Sequence, residues 1–184
     1  MLTPQPFFFL RHGETDWNRE RRAQGQIDIP LNPTGIAQAV AARDRLRHCG
    51  IATVCSSPLQ RALATAQIVN QALRRPLVVI DALKERHLGA WQGEVAGADP
   101  PEWLRGKAPP GGETDAQFLA RALAGLNAAI ARDGPVLIVA HGGVYWAMQR
   151  HAGLDHAAPA ANALPLRHDP PGGAAAGWAA TVVG

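Results

Sequence analysis

The spacing of apolar positions changes along the chain, and each change marks an element. Residues 7–10 form an unbroken apolar run of strand length, the pattern of a strand covered on both faces. Asn32-Pro33 places an N-cap before a proline at the first helical position, and helical spacing continues to about His48 and stops at Gly50. Residues 51–55 read as a second buried strand. Ser57-Pro58-Leu59-Gln60 has the form of a capping box with Ser57 as cap. The helix it opens carries Leu59, Ala62, Leu63, Ala66, Val69 and Leu73 on one face. Residues 77–80 predict a third strand. Thr114-Asp115-Ala116-Gln117 is a second capping box, and its helix turns Phe118, Leu119, Ala122, Leu123, Leu126 and Ile130 inward before Gly134. Residues 136–140 are a fourth strand, followed by a short helix from about Val144.

Strands alternating with helices predict an α/β fold: a three-layer α/β/α sandwich around a mostly parallel central sheet. The length of 184 residues suits a single domain spanning 1–184, without internal repeats. Two stretches interrupt the alternation. Residues 95–113 hold four prolines and four glycines around Trp103, Arg105 and Lys107, which reads as an ordered but irregular flap. Residues 169–177 read equally as low-complexity sequence or as a turn before a last strand at 178–183.

Composition narrows the partners. The net charge of +3 rests on 18 basic residues, all but two of them arginine. There is no lysine-rich run, and the one basic cluster, Arg19 to Arg22, is interrupted by Glu20 and reads as a solvated face. Arginines around a small anion account for this balance without nucleic acid. No apolar run reaches membrane length, and the one at residues 7–10 is too short for a secretion signal, so a cytoplasmic protein is expected. Cys49 and Cys55 have neither metal nor redox spacing and read as small buried hydrophobes.

The chemistry gathers where strands end. The first strand runs into Arg11-His12-Gly13 and the fourth into His141-Gly142-Gly143, and ligands of open α/β sheets bind at such ends. Arg11 beside His12 opposes protonation of the imidazole, leaving a neutral nitrogen for nucleophilic attack. Arg61, in the first turn of the helix after the second strand, projects toward the same edge. Two guanidiniums there can clamp phosphate oxygens, and the helix N-terminus adds its positive pole. Glu85, just past the third strand, is the carboxyl best placed as a general acid. His141 can donate a hydrogen bond to the transferring group, while Gly142 lets backbone come close. A cationic cage suits the loose transition state of phosphoryl transfer and requires neither metal nor other cofactor. A metal hydrolase built on His12, His141 and Glu85 is the rival, and the two arginines would repel its cation. A catalytically silent phospho-ligand binder is a further alternative that loss of His12 or Glu85 would have favoured.

Arg11-His12-Gly13-Glu14-Thr15-Asp16-Trp17-Asn18 resembles the signature of the histidine phosphatase superfamily, also called the phosphoglycerate-mutase-like family. The resemblance continues through Gln24-Gly25, Pro30-Leu31-Asn32-Pro33-Thr34-Gly35 and Ser56-Ser57-Pro58-Leu59-Gln60-Arg61-Ala62. It goes on through Glu85-Arg86-His87-Leu88-Gly89-Ala90-Trp91-Gln92-Gly93, Gly111-Gly112-Glu113-Thr114 and His141-Gly142-Gly143, in family order over nearly the whole chain. It implies that His12 is phosphorylated in turnover, that Arg11, Arg61 and His141 bind the phosphoryl group, and that Glu85 donates the proton. By the same matching, Asn18, Gln24 and Gly25 line the substrate pocket.

Plainer roles compete at several positions. Asn18 also suits a helix or turn cap, Trp17 suits packing, and Ser57 is better read as an N-cap than as a nucleophile. His87 is either exposed or in contact with substrate. His48, His151, His156 and His168 have no pairing that suggests ligation.

Hydrolysis and mutase activity are the two readings within the family. The block Glu85-Arg86-His87 with Gly89-Ala90 and Gln92-Gly93 resembles the cofactor-dependent mutases. The short insertion that follows, with Leu104-Arg105 after Trp103 where mutases carry an arginine pair, and Gly111-Gly112-Glu113-Thr114 resemble phosphatases. A short flap shields a phosphohistidine from water poorly. The expectation is a metal-independent phosphomonoesterase acting on a small phosphorylated metabolite, with no nucleic-acid or membrane partner and compatible with a homodimer.

Overall fold

A computed structural model describes residues 1–95, 108–154, 160–172 and 177–184. Its centre is a six-stranded sheet in the order β3-β2-β4-β1-β5-β6. Strands β1 (Phe7–Arg11), β2 (Thr53–Ser56), β3 (Leu77–Val79) and β4 (Val136–Ala140) run parallel, while β5 (Pro165–Asp169) pairs antiparallel with both β1 and the last strand, β6 (Ala179–Val182). Helices α2 (Pro33–Leu46), α3 (Gln60–Leu73), α4 (Asp115–Ile130) and α5 (Gly142–Ala152) cover it. The architecture is the expected three-layer sandwich with a mostly parallel sheet.

The apolar run of β1 is continuous because both its faces are buried. Phe7 and Phe9 join a cluster with Phe118, Leu126 and Ile130 of α4 and Val144 and Met148 of α5. Phe8 and Leu10 face the other way, into Ala42 and Leu46 of α2 and Ala62, Ala66 and Val69 of α3. Helices α2 and α3 therefore form one outer layer and α4 and α5 the other. Register pairs Arg11 with Ala140, so the two His-Gly turns leave adjacent strands at the same edge.

Several boundaries differ from expectation. The second strand spans Thr53–Ser56 rather than 51–55, and α5 starts at Gly142, directly after His141. Strand β5 was not anticipated, because Pro165, Arg167 and Asp169 hide its alternation. Helix α1 (Asp16–Arg19) is a single turn capped by Thr15, too short for periodicity to reveal. Helix α3 begins at Gln60, and its cap Leu59 offers no side-chain acceptor, so Ser57 is not its N-cap. The flap residues Trp103, Arg105 and Lys107 and most of the 95–113 stretch lie outside the described residues, as does His156. Cys55 is buried, its thiol pushed up to about 11 by burial, whereas Cys49 is partly exposed; both are free. Among the described residues no helix is long and apolar enough to cross a membrane.

Candidate active site

Where β1 ends, the chain turns so tightly that little but backbone fits. A Cβ on Gly13 would stand 2.3 Å from the carbonyl oxygen of Gly35 in the first turn of α2. Thr65 of α3 holds the turn from beneath, its hydroxyl accepting from the Gly13 amide at 3.0 Å and donating to the Arg61 carbonyl at 2.7 Å. His12 is thereby fixed and buried. Its Nδ1 lies 2.7 Å from the Gly13 carbonyl, and a carbonyl can only accept, so Nδ1 carries the hydrogen and Nε2 keeps its lone pair. Burial first, then Arg61 and Arg11, hold the ring well below the usual histidine range.

Two guanidiniums flank it, Arg11 half-buried and Arg61 fully buried. Arg11 donates to the Ala160 carbonyl at 3.0 Å and lies against Gly142, whose added Cβ would stand 3.6 Å from Nε. Arg61, only 1 % exposed, donates to the carbonyls of Ile27 (2.9 Å) and Gly25 (2.8 Å). Both Nε atoms are buried without a hydrogen-bond partner among the described residues. Such bare donors beside a buried imidazole favour an oxyanion.

His141 caps the end of β4 and is fully buried, its ring centroid 5.3 Å from that of His12. Its Nε2 lies 2.8 Å from Ser57 Oγ, which also accepts from the Leu59 amide at 3.3 Å. Burial, with Arg61, His12 and Arg11 behind it, keeps this imidazole neutral as well. Ser57 thus faces the site and sets the second histidine.

Glu85 is positioned by backbone. Its carboxylate accepts from the Arg86 amide at 2.8 Å and from the Gly143 amide, in the first turn of α5, at 3.0 Å. Behind it, Arg121 of α4 donates to the carbonyls of Ala82, Lys84 and Glu85 and forms a bidentate pair with Glu113 at 2.7 Å. Glu113 in turn accepts from the His87 amide at 2.8 Å. Burial alone would raise the Glu113 carboxyl, but these bonds from Arg121 and the amide pull it below its ordinary value.

Arg11, His12, Asn18, Gln24, Gly25, Arg61, Glu85 and Gly142 all line one cavity of about 690 Å³, whereas His141, although its ring lies 5.3 Å from that of His12, is fully buried and does not line it. Asn18 closes the capping box of α1, its Oδ1 accepting from the Thr15 amide, and also lines the cavity. Gln24 is buried, and its Oε1 has no partner among the described residues. Arg22 departs from the expected solvated face, for it lines the cavity and donates to the Gly93 carbonyl at 2.7 Å. His87 borders a separate, shallower depression, and its neighbour Arg86 reaches the main cavity instead. Among the described residues no three His, Cys, Asp or Glu side chains are grouped to hold a metal ion.

Residues 7–169 match the histidine phosphatase superfamily (branch 1). The chain belongs to that superfamily. It is 38% identical over 146 residues, 76% of this chain and 72% of the other, to an uncharacterized phosphatase, PhoE, of Bacillus subtilis. It is 35% identical over 148 residues to a probable phosphoglycerate mutase of Proteus mirabilis, covering 73% and 68% of the two chains. In three dimensions it resembles a mycobacterial glucosyl-3-phosphoglycerate phosphatase in complex with VO3 (TM-score 0.79, 32% identity, covering 90% and 91%). It also matches a bifunctional protein of Mycobacterium tuberculosis, but spans only 42% of that protein's length.

For this histidine phosphatase chain, the residues that sequence reasoning missed serve mainly to hold others in place. Asn162, just before β5, donates to the His12 carbonyl at 2.9 Å, and the Ala163 amide donates to the Arg11 carbonyl. Thr65 sits one turn past Arg61, a spacing that could have pointed to it. Asn162 carried no such signal, because the strand it precedes was itself unseen.

Proposed function

We propose that this chain is a metal-independent phosphatase that hydrolyses a small phosphomonoester through a phosphohistidine at His12. The observation that carries the reading is the His12 ring, neutral and held by Nδ1, with Nε2 unpartnered among the described residues in a cavity flanked by bare arginine donors. Nε2 attacks phosphorus as the ester P–O bond breaks, and Glu85 gives its proton to the departing oxygen. Arg11, Arg61 and His141 take up the charge spread over the three phosphoryl oxygens. Water then attacks the phosphohistidine, its proton passes to Glu85, and inorganic phosphate leaves with His12 restored. Asn18, Gln24 and Gly25 hold the substrate. The relatives named as phosphatases support hydrolysis.

The relative named as a probable phosphoglycerate mutase favours a second reading, in which the phosphoryl group returns to a sugar acid. Turnover of a phosphomonoester panel that includes 3-phosphoglycerate, with EDTA present and with or without 2,3-bisphosphoglycerate, separates the two. Phosphate release that persists in EDTA and vanishes in His12→Ala is expected. Bisphosphoglycerate-stimulated isomerisation without phosphate release would establish the mutase, and loss of all activity in EDTA would remove the metal-free mechanism.

A further inference from the structure

Beyond the phosphoryl end, the cavity continues along α5. Gly142 and Gly143 in its first turn, Trp146 one turn on and Arg150 another turn on all line it. At 1.5 Å per residue, Trp146 lies about 6 Å and Arg150 about 12 Å along the axis from Gly142. Helical side chains lean toward the N-terminus, and the Arg150 guanidinium accordingly lies over the Trp146 ring, 5.1 Å from its centroid. Leu88 and Phe118 continue the apolar wall.

Charge distinguishes Arg150 from the other arginines of this cavity. Arg86 is paired with Asp115 at 2.7 Å and Arg22 with Glu20 at 3.1 Å, while Arg11 and Arg61 both feel the carboxylate of Glu85. Among the described residues Arg150 has no ion pair, and its guanidinium packs on the face of Trp146. A guanidinium stacked on an aromatic ring, without an ion pair among the described residues and beside the apolar wall of Leu88 and Phe118, recognises a flat apolar group that ends in an anion.

We propose that Trp146 and Arg150 form an outer subsite that selects phosphomonoesters whose leaving group has a planar apolar body and a second, distal anion. The proposal rests on the phosphatase reading for the placement of the phosphoryl end at His12. The distal anion can be a carboxylate or a phosphate, since a guanidinium fork accepts either.

Calorimetric binding of benzylphosphonate, 4-carboxybenzylphosphonate and p-xylylenediphosphonate, alongside turnover of phenyl phosphate and 4-carboxyphenyl phosphate, tests it. At least one doubly anionic probe should bind about tenfold more tightly than benzylphosphonate, and Arg150→Gln should bring that ratio close to one. The probe that gains more identifies the distal anion. Trp146→Ala should weaken all three aromatic phosphonates. Equal binding of the three by the wild-type protein, or a ratio that Arg150→Gln leaves unchanged, overturns the subsite, as does failure of every phosphonate to bind. Arg150-dependent binding without turnover of either ester would leave the subsite standing and remove the phosphatase reading. Turnover without Arg150-dependent preference would do the reverse.

Discussion

At Gly143 a hydrogen in place of a methyl group decides where the carboxyl of Glu85 lies. A Cβ there would come within 2.1 Å of Glu85 Oε1 and 3.0 Å of its Cδ. The two nearest obstructing atoms are the tip of a flexible side chain and the third, Phe118 Cζ, stands 3.2 Å away, so Gly143→Ala moves the carboxyl while the core gives only slightly. The expected result is a fall in kcat of about 10²-fold on an alkyl phosphate, the range a positioned acid contributes, with a nearly unchanged melting temperature. The fall should be much smaller for p-nitrophenyl phosphate, whose leaving group needs no proton. Equal losses on both substrates would separate Gly143 from proton donation. Gly143, like Arg11, His12 and His141, was visible in the sequence because it lies at or within three residues of a strand end, where edge and direction are set by the strand. Ser57 was misread because its neighbours fit a capping box equally well. Only the His141 ring 2.8 Å from its hydroxyl shows which use the fold makes of it.

Among the elements, the connection between β3 and α4 carries Glu85, and its described residues form only two short 3-10 turns, at Asp81–Leu83 and Gly89–Trp91. It depends on Arg121, which reaches from α4 to three carbonyls and to Glu113. Lysine at 121 keeps the charge but cannot span that set, because one ammonium replaces a planar fork. Arg121→Lys is expected to cost about 2 kcal/mol of stability, as buried acceptors lose their donor. It should also lower kcat on every phosphomonoester alike, although Arg121 is not a lining residue of the cavity. Denaturant unfolding and turnover on two unrelated esters check this, and unchanged kcat with lowered stability would leave Arg121 a purely structural tie. The longer helices and the parallel strands were legible because their faces repeat over ten or more residues or are apolar throughout. This connection was not. Its order comes from a side chain more than thirty residues downstream, which no local pattern records.

Across the whole molecule, the neutral imidazoles make acid the natural way to unfold this protein. His12, His141 and His168 are all buried, and burial is the leading cause that keeps each ring below its ordinary range. His168 is the one outside the active site. It lies in β5, stacked on Phe7 at 4.9 Å with Tyr145 edge-on at 5.7 Å, and both ring nitrogens lack a hydrogen-bond partner among the described residues. Its value is lowered from 6.5 to about 4. Above pH 6.5 it is neutral in both folded and unfolded chains and contributes no pH dependence. As pH falls below 6.5 the unfolded chain takes up a proton that the folded one refuses, so stability drops until about pH 4, by about 3 kcal/mol for this residue alone. His168→Phe keeps the stack on Phe7 and removes both the unpaired nitrogens and the titration. Urea unfolding at pH 7.5, 6.5 and 4.5 should find the variant at least as stable as wild type at pH 7.5, with the loss between pH 6.5 and 4.5 smaller by about 2 kcal/mol. The remaining slope then belongs to His12, His141 and the carboxylates. A variant that loses stability over that interval as steeply as wild type would mean His168 is protonated in the folded protein, and the acid sensitivity would then rest with the active-site pair.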